Sequence, residues 1–192
     1  MADTTPTTTL ADAINASHVA DNVRVIKDFA VYLLADTTNL PTSASWTPPS
    51  SLTPVGWATD KGLTLSTKAG TETDVKGHDQ SVVKSVTAAG NYTLKVPAME
   101  CRKTVAEAYF GVTISTDGAI HANAEAGPKY QVVIAGIDSD ARPVIVVLRD
   151  ATVTDRDDIT LAGGSAIELS VTFTSHKPAT GNQLDIYGLT VA

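Results

Sequence analysis

Along most of the chain, hydrophobic and polar residues alternate instead of recurring every three or four positions, which is the signature of strands. Tyr92, Leu94, Val96 and Ala98 fall on one face and Thr93, Lys95 and Pro97 on the other, predicting a half-buried strand. Ile167, Leu169, Val171 and Phe173 alternate in the same way with Glu168, Ser170, Thr172 and Thr174. Phe29 to Ala35 reads as a strand inside an apolar series that starts at Val23. The runs QVVIAGI and VIVVLR, within Tyr130–Ile137 and Val144–Arg149, are nearly continuous and predict strands covered on both faces. Shorter patterns predict strands at Pro54–Thr59, Leu63–Thr67, Val82–Thr87, Val112–Thr116, Ala119–Ala124, Ala151–Thr154 and Leu184–Leu189.

Turn chemistry separates these runs. Gly90-Asn91 predicts a tight turn joining Val82–Thr87 to the Tyr92–Ala98 strand, and Asp117-Gly118 is the strongest short hairpin signal. Asp138 to Pro143 and Gly163-Gly164 mark further turns. One helix is predicted from about Cys101 to Phe110, with Cys101, Val105, Ala108 and Tyr109 as its apolar stripe and Gly111 as a left-handed stop. The fold class is therefore mainly β, a sandwich or half-barrel with one short helix.

Three stretches carry no core pattern. Met1 to Ala13 is Thr-rich and predicts an N-terminal arm, extending to about residue 22, with a short helical turn at Ile14–Ala20. Residues 23–192 then form one domain. Ala35 to Thr53 carries three prolines and Trp46, which predicts a long loop over 36–53, either functional or a linker whose tryptophan packs back on the sheet. Lys68 to Asp79 is rich in Gly, Lys, Thr and Asp. It suits a hairpin protruding over residues 60–80, or else a mobile surface loop.

Composition narrows the function. Hydrophobic residues make up 43% of the 192 residues and aromatic ones 5%, so the core rests on Val, Ile, Leu and Ala. The net charge is -7 with no basic cluster, which excludes tight, specific binding of nucleic acid through phosphates. The single cysteine excludes an intrachain disulfide, and its place on the helical stripe predicts a buried structural thiol. The N-terminus shows no basic and apolar signal-peptide regions and no run approaches a membrane span, so a soluble protein made in the cytoplasm is expected.

The chemistry-bearing residues do not assemble into a catalytic pattern. No glycine-rich phosphate loop, Gly-x-Ser-x-Gly elbow or His-Glu-x-x-His helix is present, and His18, His78, His121 and His176 stand apart. Asp138 and Asp140 open like a calcium loop, but no glycine or distal glutamate completes it, which favours a polar turn. Asp155, Asp157 and Asp158 surround Arg156 and suit a charged strand end with an internal ion pair, or a contact to a neighbouring subunit. No enzyme activity, cofactor or metal is expected.

The order of elements resembles the major tail tube proteins of long-tailed, siphovirus-type bacteriophages, those of actinobacteriophages in particular. The residues that carry the resemblance are Gly56-Trp57-Ala58-Thr59-Asp60 leading into Gly62-Leu63-Thr64-Leu65-Ser66, the Tyr92–Ala98 strand, and Ala108-Tyr109-Phe110-Gly111. Val153 to Ile159 and Glu168 to Thr174 extend it downstream. The resemblance implies a virion structural protein whose subunits form hexameric rings. These rings stack into a tube around a tape-measure protein, between initiator and terminator proteins, and viral DNA passes through without specific binding. It further implies that the protruding hairpin packs against the neighbouring ring.

Contact candidates are Thr64, Lys68, Thr71, Thr73, Asp74, Lys76 and His78, with Asp155, Arg156 and Asp157. Candidates for the lumen are the polar positions Ser85, Thr87, Thr93 and Lys95. Two other readings share the β-rich pattern. A carbohydrate-binding or adhesin sandwich would need aromatic platforms, for which the chain offers Trp46, Trp57 and a few tyrosines. A type VI secretion tube protein would share the fold.

Overall fold

In the computed structural model, residues 9–11, 18–123 and 126–190 are described. Most of the arm at Met1 to Ala13 and the start of the turn expected at Ile14 lie outside them. Residues Ala20–Asn22 form one 3-10 turn. The strands are β1 (Ile26–Leu34), β2 (Thr64–Lys68), β3 (Glu72–Lys76), β4 (Val82–Thr87), β5 (Asn91–Ala98), β6 (Tyr130–Asp138), β7 (Pro143–Arg156), β8 (Leu169–Ser175) and β9 (Leu184–Tyr187). The helix, α1, spans Lys103–Phe110. The architecture is mainly β, as the alternation predicts.

One antiparallel sheet runs β1-β6-β7-β8-β5-β2, with β9 branching from β7. β7 makes this possible because it changes partners halfway. Ile145–Leu148 pair with β9 and Ala151–Arg156 pair with β8, both on the edge opposite β6. Between them the register slips, Asp150 takes φ +47°, and Gln131 holds the bulge by accepting from the Asp150 N–H and donating to its carboxylate. Bulges bend and twist a strand, and here the sheet curls into a half-barrel.

Alternation decides what the curl encloses. Leu94, Val96, Leu169, Val171 and Phe173 point inward with Val31, Val132 and Leu148, and Phe173 meets Tyr130 edge to face at 5.9 Å. Burying each large aliphatic or aromatic side chain contributes about 1.5–3 kcal/mol. The outer face of β1, β6 and β7 forms a second cluster of Tyr32, Leu34, Val133, Ile145 and Val147. The long connection covers it through Leu40, Trp46 and Leu52. Trp46 stands edge-on to Tyr32 at 5.9 Å and donates from Nε1 to the Asn39 carbonyl. The apolar runs of β6 and β7 are thus covered on both faces, and Trp46 packs back on the sheet.

α1 packs on β8 and β7 with Val105, Ala106, Ala108 and Tyr109 buried. Gly111 ends it at φ +71° and donates to the Glu107 carbonyl. Cys101 is exposed and precedes the helix, contrary to the buried thiol expected, because Arg102 is extended (φ -72°, ψ 150°) and breaks the stripe.

Other strands expected from pattern do not form. Pro54–Thr59 makes a single bridge, Ala58 to Ala98, because Gly56 at φ +99° redirects the chain. Val55 donates to the Val31 carbonyl, whereas Thr59 donates to the Pro97 carbonyl and the Trp57 carbonyl accepts from the Met99 N–H. This segment therefore staples β1 to the free end of β5. The Asp117-Gly118 turn is present, with the Asp117 carboxylate accepting from Ser115 and Ala119, but residues 112–123 form no strand. Only Ile114 is buried there, and its N–H is held by the Glu107 carboxylate.

Candidate assembly surfaces

Seven of the contact candidates, from Thr64 to His78, lie along one ribbon. β2 pairs with β5 from Thr64↔Lys95 to Lys68↔Asn91, and beyond that pair β3 and β4 continue as a separate two-stranded sheet from Glu72↔Thr87 to Lys76↔Val82. Val82–Thr87 therefore pairs with β3 and not with β5, and Gly90, whose φ is not positive, forms no turn. Instead the two strands touch at a joint. A Cβ at Gly70 would lie 1.6 Å from the Ala88 carbonyl oxygen, and one at Gly90 would lie 2.2 Å from that of Lys68. Only glycine lets the main chains come so close. The tip is set by Asp79, whose carboxylate accepts from the Ser81 N–H and hydroxyl and is held below the usual carboxylate range by those bonds.

Thr64 and Lys68 thus sit on β2, Thr71 at the joint, Thr73, Asp74 and Lys76 on β3, and His78 in the tip. Opposed residues share a face. Glu72, Asp74, Ser85 and Thr87 make one face of the hairpin, with the Ser85 hydroxyl bonded to Asp74, and Thr73, Val75, Lys84 and Val86 make the other. Every residue of β3 and β4 is exposed.

Of the lumen candidates, Ser85 and Thr87 belong to this hairpin, whereas Thr93 and Lys95 lie on the outward face of β5. Their neighbours are polar. The rows Thr64–Lys95–Thr172 and Ser66–Thr93–Thr174 run across β2, β5 and β8. Thr154 continues onto β7 with its hydroxyl 2.7 Å from that of Thr174. Ser66 on β2, Thr154 on β7, and Thr172 and Thr174 on β8 join this face only through strand pairing; the polar half of the β8 alternation signals the last two.

Asp155 and Arg156 end β7, and Asp157 follows. The expected internal pair with Arg156 does not form. Lys95 Nζ reaches Asp157 Oδ2 at 2.6 Å, and among the described residues Arg156 makes no ion pair. This bond holds the Asp157 carboxyl below, and the Lys95 ammonium above, their ordinary ranges. The Tyr109 hydroxyl donates to the Asp157 carbonyl, tying α1 to the same corner, and burial raises its pKa.

Beyond Ala98, at the other end of β5, an apolar groove of about 590 Å³ opens beside α1. Cys101, Phe110, Ile120, Ile159, Leu161 and Ile167 line it, and Leu161 is 80% exposed. Among the described residues no group of three His, Cys, Asp or Glu side chains is placed to hold a metal ion. Asp138 serves a structural end instead. It is fully buried and accepts from Arg24 (2.7 Å), from Arg142 (2.8 Å) and from the N–H groups of Asp140 and Arg142.

A family model described as phage tail tube protein matches residues 18–185. No curated protein matches the sequence. Among solved structures, a chain of the anti-feeding prophage baseplate, solved by cryo-EM, is similar over 85% of this chain and 94% of its own, at 11% identity and a TM-score of 0.42. A chain from the cap that terminates the anti-feeding prophage tube is similar over 92% and 99%, at 11% identity and a TM-score of 0.41.

Proposed function

The chain belongs to the phage tail tube protein family, a structural family of the virion and not an enzymatic one, and on that premise we propose that its copies form hexameric rings that stack into the tube of a siphovirus-type tail. The family match over residues 18–185 carries the reading. Its physical support is a half-barrel with a free β2 edge, from which a fully exposed hairpin projects. Free edges and unpartnered ribbons are liabilities in a monomer and interfaces in an assembly.

In this reading the threonine-rich face around Thr93 and Lys95 lines the lumen, where hydroxyls and a paired lysine offer DNA no net positive track. A net charge of -7 suits a conduit through which phosphates slide. The tape-measure protein would fill the same lumen before DNA, with initiator and terminator proteins at the ends, and the subunit would be made in the host cytoplasm. The test is negative-stain electron microscopy across a concentration series with light scattering on the same samples. Hollow rings or tubes of uniform diameter are expected. A monodisperse monomer at every concentration, even with tail initiator complexes added, would overturn the reading.

A further inference from the structure

Trp57 is 77% exposed, on a main chain that is held from both sides. Its N–H donates to Glu100 Oε1 at 2.9 Å, and its carbonyl accepts from the Met99 N–H at 2.8 Å. Gly56 makes room for this, since a Cβ there would lie 2.5 Å from the Glu100 carboxyl carbon. A large ring presented to solvent on a fixed backbone adds little to the core, and tryptophan is among the side chains that dominate binding surfaces.

The ring borders a cavity of about 540 Å³. Asp28 of β1, Thr59 and Asp60 ahead of β2, and Glu100 and Arg102 beyond β5 line it with Trp57. Arg102 is already engaged, with Nε on Glu100 and Nη1 donating to the Pro54 carbonyl. Asp28 Oδ1 accepts from the Phe29 N–H, and among the described residues neither Asp28 nor Asp60 has an ion-pair partner. The Thr59 hydroxyl is buried and bonded to nothing. The cavity thus sets two uncompensated carboxylates beside an exposed indole, and its one cation is spoken for.

That combination selects a ligand that is flat, positively charged and rich in donors. A guanidinium is all three, since it stacks on tryptophan and its fork of N–H groups matches carboxylates. A sugar ring would also stack on the indole, but it brings no charge to balance Asp28 and Asp60. This chain does not supply the group. Arg24, Arg102, Arg142 and Arg149 are in ion pairs, and Arg156 is flanked by Asp155, Asp157 and Asp158, which the cavity would repel. The net charge of -7 draws a basic partner instead.

We infer that the cavity beside Trp57 binds an arginine side chain on a basic segment of a different protein, with the guanidinium stacked on the indole and bonded to Asp28 and Asp60. The site uses neither the hairpin nor a second copy, so it stands apart from the tube reading.

The test is calorimetric titration of the full chain, dilute enough to be monomeric by light scattering, with acetyl-Gly-Arg-Gly-Arg-Gly-amide and with the same peptide carrying citrulline for arginine. The arginine peptide is expected to bind and to change the Trp57 emission, taken as the difference between wild type and Trp57→Ala. Citrulline, neutral and nearly isosteric, should weaken binding about tenfold, as should Trp57→Ala and Asp60→Asn with their melting temperatures unchanged. Glu72→Gln, which removes the same charge from the remote hairpin, should leave the affinity as it is. Equal affinity for the two peptides, equal affinity of wild type and Trp57→Ala, or binding of neither peptide would overturn the assignment. Maltohexaose bound in place of the peptides would make the site a sugar site and overturn it too. A blue shift of the Trp57 emission on raising the protein concentration alone would give the cavity to a second copy and overturn the choice of partner. None of these outcomes decides whether rings form, which the microscopy tests separately.

Discussion

Lys95 and Asp157 are 62 residues apart in the chain, and their side chains meet at 2.6 Å across β8. One comes from the polar face of β5 and the other from the segment that follows β7. Their bond joins the threonine-rich face to the corner where Tyr109 anchors α1. The face proposed for the lumen and the charged strand end proposed for subunit contact are therefore one connected structure.

Both side chains are more than two-fifths exposed, so the pair is screened and worth about 0.2–1 kcal/mol. A double-mutant cycle of Lys95→Met and Asp157→Asn should return a coupling in that range that shrinks with added salt. The pH dependence follows from the directions of the shifts. Asp157 has a lowered pKa, so its contribution is present above the ordinary carboxylate range and is lost as pH falls through the lowered value. Lys95 has a raised pKa, so its contribution persists until pH rises through the raised value. The coupling should thus be flat across neutral pH and vanish at both extremes.

The glycine joint gives a sharper expectation. Gly70→Ala and Gly90→Ala place a methyl group against a main-chain carbonyl that cannot retreat without unpairing the ribbon. The core made by Phe173, Leu94 and Val96 lies elsewhere. Hydrogen exchange should show amides of residues 72–87 losing protection in both variants, while the β6 and β7 amides keep theirs. Any tube formation should fall with the hairpin.

How far these features could be read from sequence depends on whether they are local. The alternation in Asn91–Ala98 and Leu169–Ser175 and the stop at Gly111 are properties of neighbouring residues, and the structure has them. Partner choice is not local. Nothing in Val82–Thr87 distinguishes β3 from β5 as its neighbour, and Gly90 looks the same whether it supplies a positive φ or a close approach. Asp117-Gly118 specifies a turn, but its flanks lack the buried residues that would make strands of them. Cys101 shows helical periodicity extended one turn too far, past an extended Arg102. The polar face was half legible, through Thr93 and Lys95. Its other rows depend on the register of β5 with β2 and β8.

The two tryptophans should behave oppositely. Trp46 is packed against the outer cluster, and Trp46→Ala should cost about 2 kcal/mol in monomer stability, the worth of burying a large side chain. Trp57 is 77% exposed, its main chain pinned by Glu100 and Met99, and Trp57→Ala should change monomer stability by no more than about 0.5 kcal/mol. Chemical denaturation of the two variants, followed by fluorescence of the remaining tryptophan, separates the cases. A blue-shifted native emission should survive in Trp57→Ala and be lost in Trp46→Ala.

Asp138 makes the residues before β1 part of the domain. Burial by itself would raise its pKa, but the bonds from Arg24 and Arg142 outweigh that and hold the carboxyl far below the usual range. The same cluster fixes the chain on either side. Arg142 also donates to the Asp21 carbonyl, and Ser139 donates to that of Val25. In Asp138→Asn two guanidinium groups lose their shared carboxylate, and residues 21–25 should come away from the β6–β7 turn. Limited trypsinolysis reads this directly, because Arg24 lies within the segment and Lys27 just beyond it at the start of β1. Cleavage at both sites should accelerate at least tenfold in the variant while β6 and β7 stay protected, and Arg24→Gln should accelerate cleavage at Lys27 alone. Because the folded-state pKa is lowered, the stabilisation is present above the ordinary carboxylate range and is lost as pH falls through the lowered value. Native-protein resistance of residues 21–27 should therefore hold through mildly acidic pH, read with an acid-stable protease and mass spectrometry of the fragments, and equal trypsin rates in wild type and Asp138→Asn at neutral pH would show that the latch does not hold the segment.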